Sequence, residues 1–456
     1  MTPQPLTNET DAITYVFRSL AASDWQRRGL DEDTRDLTPT RRLLNLLDLP
    51  GQRREYAVVT GSKGKGSVTA ITARLLRALG HRTGMVTSPH LTTYRQRFRI
   101  DGAMISEADL VRLINQLRPA IDRVQAELGP GQYLSPQGIF LALALTWFDE
   151  QDVTAAVIEV GRGGRYDDNS LVPNMLSLFT PIILEHTRYL GSTVARIAWH
   201  KAGIIKPHSY AYSLPQSADV MDVIRTEAES KDAVFEWLAP RDMGQMVEPL
   251  PDGQRVDFGR YGVVDLPLLG HYEIDNASLA IWAAGNMHGR LGSTIKHGEA
   301  NYVQRIRAGL ESVLWPGRCQ QMQTAPRVYV DGSINPHSAA RYLDSVRDRL
   351  TPPVVGVLAV PADRDLAGVC AVLAPACDTL ILTATARNVA ISFRAPDDAL
   401  AIARRYHHDV RYAPTVAEAH AQATARAGEA GSVLMALAQP AIGDLMAVYG
   451  EDYAQI

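Results

Sequence analysis

Residues 60–67 read TGSKGKGS, between the apolar run YAVV (residues 56–59) and the helically spaced stretch VTAITARLLRALG (residues 68–80). A strand, a glycine-rich turn and a helix in that order make a phosphate cradle. Gly61, Gly64 and Gly66 let the backbone turn tightly and bring the N–H groups around Ser62 close to an anion, and the helix N-terminus adds partial positive charge. Lys65 can reach terminal phosphates and the Ser67 hydroxyl can bind Mg²⁺. The spacing departs from G-x-x-x-x-G-K-[ST], because Gly66 separates Lys65 from Ser67. The alternative reading is an ordinary strand-to-helix turn with a solvated lysine. The flanking strand and helix favour a nucleoside triphosphate site.

Outward from this loop, short β-rich runs alternate with helical stretches. YAVVT, TGMVTS, AAVIEV and LSLFTPI are followed later by RVYVDG, VVGVLAV, TLILTAT and SVLMALA. Helical spacing marks Ser106–Leu128, Gln137–Glu150, Thr193–Ile204, Ile274–Met287 and Ala300–Val313. Such alternation predicts an α/β fold of parallel sheets with helices on both faces. Residues 234–267 break the pattern and predict β-hairpins in a small antiparallel side sheet. A chain of 456 residues exceeds one typical core. The expected boundary is at Trp315-Pro316-Gly317, giving an ATP-binding domain over residues 1–315 and a Rossmann-like domain over residues 316–456. The cleft between them is the expected ligand site.

The net charge of −4 gives no electrostatic reason to expect nucleic acid or an anionic membrane. Cys319, Cys370 and Cys377 are scattered, unlike a disulfide framework or metal cluster, and fit a reducing cytoplasm. MTPQPLTNETDAITY has no basic stretch followed by an apolar core, so no signal peptide is expected. The longest apolar run, residues 138–148, is too short to span a bilayer and reads as a buried helix.

Four further segments carry candidate chemistry. IEVGRGGRYDDNS (158–170) puts Glu159 at a strand end, where a carboxylate can partner Mg²⁺; the alternative is neutralisation by Arg162 or Arg165. PIILEHTRYLGSTVARIAWHKAGIIKP (181–207) places Glu185 and His186 at a strand end. It also places Lys201 on a helix among Ile197, Ala198 and Ile204, where an amine is costly unless paired or chemically changed. WPGRCQ (315–320) offers Arg318 as a phosphate clamp or a plain surface arginine. In RVYVDGSINPHSA (327–339), Asp331 could accept from a ribose hydroxyl or serve as a turn residue. No Ser–His–Asp set or H-E-x-x-H motif is present.

Taken together, TGSKGKGS, TSPHL (87–91), QRFRIDG (96–102), EVGRGGRYD (159–167), EHTRYLGST (185–193), KAGIIK (201–206), WPGR (315–318) and DGSINP (331–336) resemble the folylpolyglutamate synthase/dihydrofolate synthase family of the Mur ligase superfamily. The resemblance implies a two-domain, P-loop-type ATP- and Mg²⁺-dependent carboxylate–amine ligase. Its partners would be a folate-like small-molecule acid and an amino acid, L-glutamate, in a cytoplasmic monomer. By position, Lys65 would contact the β/γ-phosphates. Ser67, Glu159, His186 and a carbamylated Lys201 would ligate the metal, and Asn276, Arg318 and Asp331 would contact the nucleotide.

The chain also departs from the family pattern. Lys63 stands for a usual asparagine, Gln96 for glutamate, Tyr272-Glu273 for a His-Gln pair and Ile334 for histidine. SVLMALAQPAIGD (432–444) lacks the usual Gly-Ser. Two other readings stay open: a paralogue joining a non-folate acid to an amine, and a nucleotide-binding protein without ligase activity.

Overall fold

The computed structural model describes residues 4–51, 54–388 and 391–456. The first three residues of the amino-terminal stretch read above lie outside it. An eight-stranded sheet comprises β1 (Glu55–Thr60), β2 (Thr83–Val86), β3 (Phe98–Ile100), β4 (Ala103–Met104), β5 (Ala155–Glu159), β6 (Leu176–Phe179), β7 (Tyr210–Ser213) and β8 (Val234–Trp237). Its order is β4-β3-β2-β5-β1-β6-β7-β8, with β1 central and parallel to both β5 and β6. Strand β1 is buried on both faces, which is why EYAVVT reads as a near-continuous apolar run rather than an alternating one.

Helices cover the sheet. Pro136–Glu150 is apolar nearly all round and buried among Leu43, Phe98 and Leu113, as its sequence predicts. Lys65–Ala78 packs with Tyr272–Arg290 on the other face, through Val68, Ile71, Leu75, Ala277, Ala280 and Ala284. Strands β9 (Gln245–Leu250), β10 (Gly253–Asp257) and β11 (Val263–Leu266) form the antiparallel side sheet. The antiparallel region begins later than residue 234, where the sequence pattern places its start. Val234–Trp237 is not in that sheet but extends the large one, pairing in parallel with β7 from Tyr210↔Val234 to Ser213↔Trp237. The helix Ala218–Glu229 makes the crossover that a parallel partner requires.

The third sheet contains β12 (Gln320–Thr324), β13 (Arg327–Asp331), β14 (Val354–Ala359), β15 (Thr379–Leu382), β16 (Val410–Tyr412) and β17 (Ser432–Leu437), ordered β12-β13-β17-β14-β15-β16. Only β12 is antiparallel to its neighbour, and separate apolar clusters fill the two faces. Among the described residues, no helix is long and apolar enough to cross a membrane.

Candidate active site

The loop after β1 is shaped by what lies against it. Gly61 has φ +145°, and a Cβ there would stand 1.9 Å from Thr180 Oγ1. Gly64 has φ +86°, and a Cβ there would meet Asn276 Oδ1 at 2.6 Å. These two positions require glycine for both backbone angle and space. Gly64 caps the helix Lys65–Ala78 without any side-chain cap bond, so the first N–H groups of that helix keep no side-chain partner. Lys65 Nζ folds back to donate to Gly61 O at 3.1 Å.

The loop forms one wall of a cavity of about 260 Å³. Ser62, Gly64, Lys65, Gly66, Ser67, Glu159 and Asn276 line it from the first half of the chain; Arg318, Asp331 and Ile334 line it from the second. Arg318 is no free surface side chain, since its guanidinium donates to Gln439 Oε1 at 2.7 Å and to Gly317 O at 3.0 Å. Asp331 accepts from Tyr272 Oη at 2.6 Å, from the Cys319 N–H at 2.8 Å and from Ser333 Oγ. The tyrosine bond ties the helix Tyr272–Arg290 to β13, so it spans the two halves directly above the cleft. Arg341–Asp275 and Gln439 Nε2 to Pro89 O bridge them at its rim.

Glu159 ends β5 and is buried. Arg162 pairs instead with Asp31 and Arg165 with Glu227, so neither neutralises it. Burial raises the Glu159 pKa against the opposing influence of Lys65 and the Ser88 N–H, which donates to it at 3.0 Å. A buried carboxylate with acceptor capacity to spare is a good hard-cation ligand. Ser67 Oγ donates to Glu273 Oε1 at 2.8 Å. Burial pushes the Glu273 carboxyl up to about 7.

Lys201 and His186 do not line this cavity. Lys201 lies on the helix Val194–Ala202, capped by Thr193, and is 0 % exposed. Its Nζ donates to Gly61 O at 2.7 Å and to Arg162 O at 2.9 Å, so it links the phosphate loop to the Gly161–Gly164 loop. Thr60 Oγ1 adds a second link through Gly163 O at 2.7 Å. Burial, then repulsion from Lys65, lowers the Lys201 amine to about 7. His186 sits at φ +51° ahead of the helix Thr187–Leu190, and burial lowers its pKa to about 3, leaving a neutral imidazole. Beside it, Glu185 would be raised by burial, but Lys201, Lys65 and Lys63 outweigh that and lower its pKa.

Among the described residues no group of three or more His, Cys, Asp and Glu side chains is gathered as for a metal. The oxygen donors Ser67 and Glu159 share the cavity with Lys65, so a hydrated Mg²⁺ carried in with phosphates fits this donor set better than a metal held by protein ligands alone.

A second cavity, about 160 Å³, borders the Gly161–Gly164 loop and is lined by Asp31, Arg35, Gln137, Arg162, Tyr166, Asp167 and His200. Arg35 pairs with Asp168 at 2.5 Å, while burial and the Asp168 charge raise Asp167 to about 6. Sequence reading gave Tyr272 and Glu273 no role. Their change from the family pair was the available signal.

Residues 59–284 match the Mur ligase middle domain and residues 317–438 the Mur ligase glutamate ligase domain. The chain is 32% identical to the dihydrofolate synthase/folylpolyglutamate synthase of Mycobacterium tuberculosis, over 94% of this chain and 89% of the relative. It is 30% identical to the folylpolyglutamate synthase of Lacticaseibacillus casei, over 82% of this chain and 85% of the relative. The solved structure of Mycobacterium tuberculosis folylpolyglutamate synthase complexed with ADP and AMPPCP superposes with a TM-score of 0.83 at 27% identity, covering 97% of this chain and 99% of that one.

Proposed function

This chain belongs to the folylpolyglutamate synthase/dihydrofolate synthase family of Mur ligases, and from that premise we propose that it is an ATP-dependent ligase joining the amine of L-glutamate to a folate carboxylate. The observation that carries the reading is the one cavity in which Lys65, Ser67 and Glu159 meet Arg318 and Asp331 from the other half of the chain.

The uncapped N-terminus of Lys65–Ala78 and the amides of the preceding loop receive the polyphosphate. Lys65, whose Nζ donates to Gly61 O, offers its ammonium to the β/γ-phosphates, and Arg318 meets them from across the cleft. Asn276 and Asp331 hold the nucleoside. Bound Mg²⁺ would supply charge neutralisation at the transferring phosphoryl group, with Ser67 and Glu159, which line the cavity, as the residues to hold it. The γ-phosphoryl passes to a carboxylate oxygen of the folate and ADP leaves. The glutamate amine then attacks the acyl carbon, loses a proton, and inorganic phosphate departs as the amide forms.

Lys201 suits conversion to a carbamate because burial leaves much of its amine neutral near pH 7. The nitrogen bonds to CO₂, a proton leaves, and a cation becomes an oxygen-donor anion. The cavity beside Gly161–Gly164 adjoins this lysine and is where we place the distal part of the acid. We assign residues 1–315 to the ATP-binding domain and 316–456 to the domain that closes on it. We further read the protein as a cytoplasmic monomer, with Cys319, Cys370 and Cys377 as free thiols.

The test is ADP release on mixing ATP, Mg²⁺ and L-glutamate with dihydropteroate or tetrahydrofolate, with the product identified by mass. Turnover requiring both the folate and glutamate supports the assignment. A second reading, a ligase for a non-folate acid, draws on Ile334 and Glu273, which alter the nucleotide cleft from the family pattern. Turnover with another acid and neither folate would favour it. Nucleotide binding with no amide product from any acid would leave only a binding protein.

A further inference from the structure

Glu273 is 0 % exposed, in the first turn of the helix Tyr272–Arg290. It lies behind the cavity wall, while the two residues it touches, Ser67 and Asn276, are part of that wall. Ser67 Oγ donates to its Oε1 at 2.8 Å and Asn276 Nδ2 donates to its Oε2 at 2.9 Å. Both partners are neutral. Burial disfavours the ionised carboxyl, and Arg318 offsets this only in part, so the ionised form lacks a full counter-charge within the protein. The place where that charge can be balanced is the far side of Ser67, in the phosphate cleft.

The hydrogen-bond chemistry gives the contact a direction. A serine hydroxyl has one proton and two lone pairs. With Glu273 ionised and the Ser67 proton committed to it, Ser67 offers only lone pairs to the cleft. It can then bind a cation but cannot donate to a phosphate oxygen. Asn276 is fixed by the same carboxylate, with its Oδ1 turned against Gly64. One buried charge therefore orients the loop hydroxyl and the asparagine together. It also makes the cleft less hospitable to polyphosphate that arrives without a metal.

We propose that Glu273 is a positioning residue that makes nucleotide binding depend on the divalent cation, by fixing Ser67 as a cation ligand and placing a negative charge behind it. The proposal rests on the reading of this cleft as the ATP site. A carboxylate behind a ligand strengthens that ligand's hold on the metal, and losing such a partner typically lowers metal affinity by about 10–100-fold. A purely structural Glu273 would affect folding but would not couple the two ligands.

The experiment is calorimetric titration of ADP into the full chain with excess Mg²⁺ and, separately, with EDTA, for wild type, Glu273→Gln, Glu273→Asp and Ser67→Ala. The quantity read is the ratio of the EDTA Kd to the Mg²⁺ Kd. In wild type it is large. In Glu273→Gln it falls by about tenfold or more, with affinity in EDTA equal to or tighter than wild type. Glu273→Asp keeps part of the ratio. Ser67→Ala lowers it as well, and the two changes together lower it by less than the sum of their separate effects. An unchanged ratio in Glu273→Gln overturns the proposal while leaving the ATP site intact. If that variant does not fold, a wild-type ratio in Glu273→Ala overturns it equally, as does a ratio near one in wild type. No ADP binding to wild type under either condition removes the ATP-site reading itself.

Discussion

Lys201→Met tests the interior of the site through stability rather than turnover. The Lys201 amine is wholly buried and held at about 7 against an ordinary 10.5. Carrying the proton therefore costs the native state about 5 kcal/mol relative to the unfolded chain. Between these two values the unfolded chain binds more protons than the native one, so wild-type stability rises with pH across the window. Below pH 7 both states hold the proton and the cost is constant. Methionine fills similar space and does not titrate. The variant also loses the bonds to Gly61 O and Arg162 O, but that loss is the same at every pH. The stability of Lys201→Met relative to wild type should therefore fall by about 2 kcal/mol between pH 7 and pH 9. Urea denaturation followed by tryptophan fluorescence measures it, with Trp199 close by, in CO₂-free buffer with EDTA. Parallel pH profiles for the two proteins would refute the reasoning, because they would mean that the amine is protonated alike in both states.

Other substitutions probe the cleft from different sides. Gly61→Ala places a Cβ against Thr180 Oγ1 and Thr180 O at a left-handed φ; it should cost about 3 kcal/mol, seen as a lowered Tm, and an unshifted melt with intact nucleotide binding contradicts the steric account. Tyr272→Phe removes the 2.6 Å bond to Asp331 across the cleft. At about 1 kcal/mol it should raise the KM for ATP about fivefold with little change in kcat, and an unaltered KM means the bond does not contribute to closure on ATP. Lys65→Ala should lower kcat by about 10²–10³ without shifting the melt, and near-normal turnover removes Lys65 from the phosphate site.

The strand–loop–helix of residues 55–78 was legible because its signals are local: an apolar run buried on both faces, glycines at a tight turn, and helical spacing after them. The parallel strands of the large sheet followed from the same alternation, whereas β3 and β4 at one edge pair antiparallel. Val234–Trp237 was less legible. Its side chains are half-buried or exposed at the sheet edge, so no apolar pattern marks it as a strand of the main sheet rather than the start of a hairpin. Among site residues, Lys65, Ser67 and Glu159 sit at element ends, where sequence position alone predicts exposure to a cleft.

Sequence by itself determined the strand, glycine turn and helix of residues 55–78, the alternation that builds two sheets, and the placement of Glu159 and Asp331 at strand ends. These follow from short-range backbone geometry and from the period of apolar residues. Only the tertiary structure decided which side chains meet. Glu273 reaches Ser67 from 206 residues away and Lys201 reaches Gly61 from 140. No pattern within either segment encodes such a partner. The contacts exist because helix Tyr272–Arg290 and helix Lys65–Ala78 bury their apolar faces against each other, and because the helix Val194–Ala202 packs beneath the loops that leave β1 and β5. Packing sets the distances, and those distances give a buried carboxylate and a buried amine their chemistry.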